Sequence, residues 1–239
     1  MTSLCLFSGG KDSTMALLRE LSAGRECLCL IVANKGYSQL SDGLETKTAI
    51  VANIARGLFG QPVIVCQTSD QLFRTELVKC VSGLLRQGNI DRVVTGDLNH
   101  PDAIINYLRK RLSRIYRSTN FVSVGEAYAR KGKFDPDKYL ADVFKRLSLR
   151  IVGLRRREFA GREKMFLGKK LNERMIDKIK KLGIDPLGED GEYQTLVVGL
   201  KRVRKHIKIE SSVVKKVRGR DRKDQDYQIE DIKKWSFSN

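Results

Sequence analysis

At 239 residues and 41% hydrophobic content, the chain can bury one large core or two smaller ones. It has no run of about 18 apolar residues, which excludes a helical membrane span, and no basic-then-apolar opening, so secretion is not expected. The formal charge of +18 is lopsided: the first hundred residues hold 10 Lys or Arg and 9 Asp or Glu, which leaves 36 of the 46 basic and 19 of the 28 acidic residues to positions 101–239.

In chain order, Leu4–Phe7 reads as a buried strand and Ser13–Ala23 as a helix. Between them lies Ser8-Gly9-Gly10-Lys11-Asp12-Ser13. A strand that turns through two glycines into a helix is a phosphate site. Glycine lets the backbone approach the anion, and the free N–H groups of the first helical turn, with the helix dipole, favour its charge. Ser8 and Ser13 add hydroxyls, Lys11 a cation and Asp12 a ligand for Mg2+. Cys27–Ala33 is a second strand, Lys35–Glu45 a glycine-punctuated loop, and Thr46–Leu58 a helix. Val63–Gln67, Leu72–Gln87 and Arg92–Thr95 follow as strand, helix and strand, the last ending in Gly96-Asp97. This βαβα order predicts an α/β fold with a parallel, Rossmann-like sheet. Ligands of such sheets sit at the carboxyl ends of the strands, so the loop, Asn34–Gly36 and Gly96-Asp97 are expected to converge on one pocket.

The pattern changes after residue 100. Ile104–Tyr116 is a basic helical stretch, and 118–136 reads as a linker. Tyr139–Leu147 and Asn172–Leu182 are helical, while Leu149–Leu154, Leu196–Leu200 and Ile207–Val217 are strand-like. The tail from Arg218 is charged, with little patterning. Three units are therefore expected: an ATP part over 1–117, a smaller α+β substrate part over 118–217, and a basic tail over 218–239. The cationic second half predicts a polyanionic neighbour, RNA or the ribosome. The five cysteines (5, 27, 29, 66 and 80) form no CxxC pair and are expected to be buried free thiols in a reduced, cytoplasmic setting.

Gly188-Glu189-Asp190-Gly191-Glu192-Tyr193-Gln194-Thr195 is the second chemical feature. Two carboxylates three residues apart, spaced by glycine before a strand, can hold a metal, meet a cationic substrate or bind ammonium. A solvated acidic turn explains the same residues.

The SGGKDS segment is similar to the PP-loop of the N-type ATP pyrophosphatases. Together with GEDGEYQT it resembles the diphthine–ammonia ligase family, over about residues 1–217. Gly96 with Asn106-Tyr107-Leu108-Arg109-Lys110-Arg111, the strand Ile151-Val152-Gly153, and Phe166-Leu167-Gly168-Lys169-Lys170-Leu171 look like further family pieces in the right order. Leu108, Ser113 and Tyr116 stand where the family carries Gln, Glu and Cys, and Gln194 where it carries His or Glu. The resemblance implies an ATP-dependent ligase that amidates diphthine on translation elongation factor 2, through an acyl-adenylate, with ammonium as nitrogen source and AMP and pyrophosphate released. On that reading Lys11, Asp12, Glu189 and Glu192 are catalytic. Ser8 to Ser13, Ala33 and Gly96 bind ATP, and Asp12 binds Mg2+. Tyr107, Arg109, Arg111, Gly188, Glu189, Glu192, Tyr193, Gln194 and Thr195 meet the substrate. Two other readings stay open: a tRNA-modifying enzyme of thiolase or lysidine-synthetase type on the same scaffold, and a nucleotide-binding adaptor without turnover.

Overall fold

Apolar runs too short for helices, each followed by an amphipathic stretch, fold as strands covered by helices. The computed structural model describes residues 1–34, 37–38, 47–69, 72–98, 103–130, 133–218 and 226–238. The first part comprises β1 (Thr2–Leu6), α1 (Lys11–Ser22), β2 (Glu26–Asn34), β3 (Tyr37–Ser38), α2 (Thr48–Asn53) running into a π-helical turn (Ile54–Leu58), β4 (Val63–Gln67), α3 (Phe73–Leu85), β5 (Ile90–Thr95), α4 (Ile104–Leu112) and β6 (Asn120–Ser123). Five parallel strands run β4-β2-β1-β5-β6, with β3 antiparallel against the end of β2. Chain direction across the sheet reverses between β1 and β5. The crevice at their carboxyl ends is the switch point where such sheets bind ligands. Apart from Tyr37–Ser38, the loop expected over 35–45 lies outside the described residues, as does Gly36.

Alternation on the central strands sends side chains to two layers. Leu4, Leu6, Leu30 and Val32 pack against α3 and α4 through Leu77, Val81, Ile105 and Leu108. Cys5, Phe7, Cys29 and Ile31 face the other way, onto Met15 of α1 and Val51 of α2.

The stretch expected to be a linker instead carries β6, a 3-10 turn over Gly125–Tyr128, and the short hairpin β7 (Ala129–Arg130) and β8 (Lys133–Phe134). The polar ends of Asn120-Phe121-Val122-Ser123 hide a strand that pairs with β5, beyond the expected boundary at 117. Next come α5 (Pro136–Arg146), β9 (Leu147–Arg155), α6 (Glu163–Phe166), β10 (Lys170–Leu171), α7 (Glu173–Lys181), β11 (Tyr193–Leu200), β12 (His206–Arg218) and β13 (Asp226–Ser238). The second sheet runs β10-β9-β11-β12-β13, and β13 also pairs back onto β9, so four antiparallel strands close on themselves. Its residues Leu149, Ile151, Leu196 and Val197 belong to the same apolar cluster as α1 and α2, so one core joins the two sheets.

Two expectations are corrected here. Asp226–Ser238 is a strand rather than an unpatterned tail: it pairs with β12 along its whole length, and Tyr227, Ile229 and Ile232 are buried. The apolar pattern is broken because Glu230 and Asp231 are buried too. Arg150 reaches Glu230 with two nitrogens at 2.6 and 2.7 Å. Lys215 and Lys233 each lie 2.5 Å from Asp231 and hold its carboxyl below the usual range against the pull of burial. The second correction is among the cysteines. Cys66 on β4 and Cys80 on α3 form a disulfide with Cα atoms 6.4 Å apart, while Cys5, Cys27 and Cys29 are buried free thiols.

Candidate active site

Ser8–Gly10 link β1 to α1, and Gly10 caps the helix. Gly9 has φ +77°, open to glycine at little cost, and a side chain there would meet Ile54, Leu196 and Val51. The serines tie the loop internally: Ser8 N donates to Ser13 Oγ at 3.2 Å, and the two hydroxyls lie 3.1 Å apart.

The second motif is built onto this loop. Strand β11 places Thr195 Oγ1 to accept from Lys11 N at 3.1 Å, and Val197 N donates to Gly9 O at 2.8 Å. Lys11 is buried, and its Nζ donates to Leu187 O at 2.6 Å and pairs with Asp12 Oδ2 at 2.8 Å. The turn before β11 is organised by Asp185, whose carboxylate accepts from Leu187 N at 3.1 Å and Glu189 N at 3.0 Å. Gly188 (φ +69°) and Gly191 (φ +77°) take left-handed conformations in that turn. Tyr193 is buried beneath it and donates its hydroxyl to Pro186 O.

The two motif glutamates face different neighbours. Glu189 is exposed as a residue, yet crowding strips solvent from its carboxyl. With Asp12, Asp185 and Asp97 adding repulsion and Lys11 opposing it, the group is pushed up to about 8. Glu192 is buried, and burial raises its carboxyl, with Asp185 and Asp190 adding to the rise and Arg155 working against it. Its Oε2 has no hydrogen-bond partner, and its carbonyl accepts from Arg155 N at 2.8 Å.

The donor set suits Mg2+. Asp12 offers the hard carboxylate oxygens that Mg2+ takes, beside a loop suited to phosphate. Among the described residues no group of three or more His, Cys, Asp or Glu could hold a metal ion.

The remaining expected residues are dispersed. Ala33 is buried at the end of β2, where its carbonyl accepts from Thr68 N at 2.8 Å. Gly96 lies directly under the first turn of α1: a Cβ there would sit 2.5 Å from Ser13 N. Gln194 is the second residue of β11, opposite Gly153 on β9. Tyr107 is sandwiched between the guanidinium groups of Arg74 (5.2 Å) and Arg111 (5.6 Å), between α3 and α4. Arg109 donates to Phe121 O and Glu126 Oε1, both at 2.6 Å. These three side chains are engaged with α3, β6 and the turn after it, not with the loop. The family departures follow them. Leu108 is buried in the α3–α4 apolar layer, Ser113 caps α4, and Tyr116 bonds Ser82. They alter a packing layer and leave the loop untouched.

Two further residues complete the surroundings of the loop: Asp97, expected there as a strand end, and Tyr139, which no motif announced. Asp97 Oδ2 accepts from Thr95 Oγ1 at 2.6 Å and Ile105 N at 2.9 Å, fixing the start of α4. Tyr139 of α5 is fully buried and donates to Asp12 Oδ1 at 2.5 Å. Burial and the adjoining carboxylate hold its hydroxyl well above the usual tyrosine range, so it stays a donor. An aromatic on the apolar face of a helix was the one hint in its sequence.

No curated protein matches the sequence. Among solved structures, one similar in fold is described as a predicted subunit of tRNA methyltransferase from Methanocaldococcus jannaschii. It is 14% identical, with a TM-score of 0.46, over 84% of this chain and 98% of the other. Residues 1–122 match the diphthamide synthase N-terminal domain and residues 135–236 the diphthamide synthase C-terminal domain. With both domains in order over nearly the whole length, the chain belongs to the diphthamide synthase family of ATP-dependent carboxylate–ammonia ligases.

Proposed function

We propose that this chain performs the ATP-dependent amidation of diphthine on translation elongation factor 2, in the cytoplasm, drawing on free ammonium. The observation that carries the reading is the pair of hydrogen bonds from β11 into the loop, Lys11 N to Thr195 Oγ1 and Val197 N to Gly9 O. They join the phosphate loop to β11 at the end of the GEDGEYQT segment, which supports reading the two motifs as one site, as coupling ATP cleavage to amide formation requires.

A carboxylate resists attack because its leaving group would be oxide, and transfer of AMP to it supplies a good one. In this reading the loop N–H groups and Lys11 take the charge that gathers on the departing pyrophosphate, with adenine at the ends of β2 and β5 near Ala33 and Gly96. Asp12 would hold Mg2+, which when bound neutralises phosphate charge. Glu189, a carboxylate at the exposed side of the turn, accepts the proton that ammonium must shed. Glu192, set against Arg155, holds the turn. The cationic, trimethylated diphthine side chain is received by the acidic turn, with Gln194 at its edge. The basic second half guides acidic or RNA-bearing partners, including the ribosome where elongation factor 2 works.

The test is purified protein with ATP, ammonium and diphthine-bearing elongation factor 2, read by mass spectrometry of the modified histidine and by pyrophosphate exchange. Amidation with diphthine-dependent exchange is the expected result. Exchange that depends on tRNA instead of diphthine would refute it, and tight ATP binding without exchange would point to an adaptor.

A further inference from the structure

Asp12 is the loop residue that meets MgATP on the reading above, and the inference here rests on that reading. A carboxylate one residue into a helix has two free torsions and no backbone cap to hold it. In this protein each of its oxygens has a partner. Oδ2 takes Lys11 Nζ at 2.8 Å, and Oδ1 takes the Tyr139 hydroxyl at 2.5 Å. The two partners differ in kind. Lys11 is a flexible cation, also hydrogen-bonded to Leu187 O at 2.6 Å, and bound phosphate would draw it away. Tyr139 is neutral and rigid. Its ring is fully buried, packed edge-on against Tyr128 at 5.0 Å and tilted against Phe134 at 5.7 Å. A neutral donor orients a carboxylate without cancelling its charge, and each oxygen keeps a lone pair for a ligand.

We propose that Tyr139, contributed by the second half of the chain, is a positioning residue that sets the orientation of Asp12 for the magnesium form of ATP. When Lys11 turns to the phosphates, the Tyr139 hydroxyl is the contact that still holds the carboxylate. The residue acts through Asp12 and does not itself touch the reacting atoms.

The experiment uses the full-length protein with Tyr139→Phe, which keeps the ring and its packing and deletes one oxygen. Tyr128→Phe is the control: that tyrosine belongs to the same aromatic cluster, but its hydroxyl donates to Asp142 at 2.6 Å. Calorimetric binding of the non-cleavable α,β-methylene-ATP is measured with and without Mg2+, alongside thermal unfolding. In Tyr139→Phe the magnesium-free affinity should stay within about twofold of wild type, and the gain in affinity on adding Mg2+ should fall about 10–100-fold, as for other partners that orient a metal ligand. Tyr128→Phe should match wild type in both. In an Asp12→Asn background, Tyr139→Phe should add no further loss. An unchanged magnesium-dependent gain overturns the proposal. So does an equal loss with and without Mg2+, an additive loss in the Asp12→Asn background, or failure of Tyr139→Phe to fold, each of which makes the hydroxyl a packing feature. A wild-type protein that binds MgATP but does not amidate diphthine would refute the proposed function and still report on Tyr139.

Discussion

Gly96→Ala is the sharpest probe of how the sheet delivers the site. A Cβ at this position would lie 2.5 Å from Ser13 N, 2.7 Å from Asp12 C and 2.9 Å from Ser13 Cα, where ordinary contact begins at 3.4 Å. All three atoms are backbone in the first turn of α1, so no side chain can swing aside. The helix start must retreat by roughly 0.9 Å, and it carries Asp12 and Ser13 with it. Overpacking of this kind costs about 1–3 kcal/mol, or a fall of about 6–12 °C in Tm at the upper end for a chain of this length. A displacement near 1 Å at catalytic groups costs about 10²-fold in turnover. Gly83→Ala is the matched control: Gly83 sits inside α3 with nothing within 4 Å of its added Cβ, so the change should stabilise by about 0.5–1 kcal/mol. Thermal unfolding, ATP affinity and AMP formation are the assays. A Gly96→Ala protein with wild-type Tm and wild-type turnover would refute the claim that β5 buttresses the loop.

Thr195→Val keeps shape but strands Lys11 N without its acceptor, so it should cost about 1–3 kcal/mol in urea denaturation and weaken ATP binding; wild-type values for both would show that the β11 contact is incidental. Glu189, raised to about 8, keeps a proton in the folded protein that the unfolded chain has already lost above the ordinary carboxylate range. Stability in metal-free buffer is therefore full in acid and declines as pH rises through about 8, and Glu189→Gln should flatten that decline. An equally steep decline in the variant would assign it to another group. Glu189→Gln should also slow amidation about 10²-fold while sparing pyrophosphate exchange, and Glu192→Gln should be the milder of the two in amidation; the reverse order would return the proton-accepting role to Glu192.

The parallel sheet was legible because its central strands, β1 and β2, are buried on both faces. Leu4–Phe7, Cys27–Ala33 and Val63–Gln67 are short, unbroken apolar runs between turn signals, and the observed strands lie within a few residues of them. The phosphate loop was legible for a related reason, since strand, glycines and helix must follow one another in sequence. Less legible was anything that long-range pairing creates. Glu230 and Asp231 look like surface charges until Arg150 of β9 and Lys215 of β12 arrive from other strands. The strand Asn120–Ser123 has only two apolar residues, and it exists because β5 offers it an edge. The two glutamates of the acidic turn share a spacing, but the turn set by Asp185 gives them different surroundings. Tyr139 meets Asp12 across 127 positions of chain, a distance no local pattern spans.

Strand β13 ends with Phe237, whose ring fills the space a side chain would take at Gly57 in the π-helical turn. The same turn contributes Ile54 to the wall beside Gly9. Residues far along the chain thus brace the loop near its start, and β9 takes one of its strand neighbours from β13. Contacts of such long range form late and slowly. Deleting β13 should therefore leave the phosphate loop without this brace and weaken ATP binding.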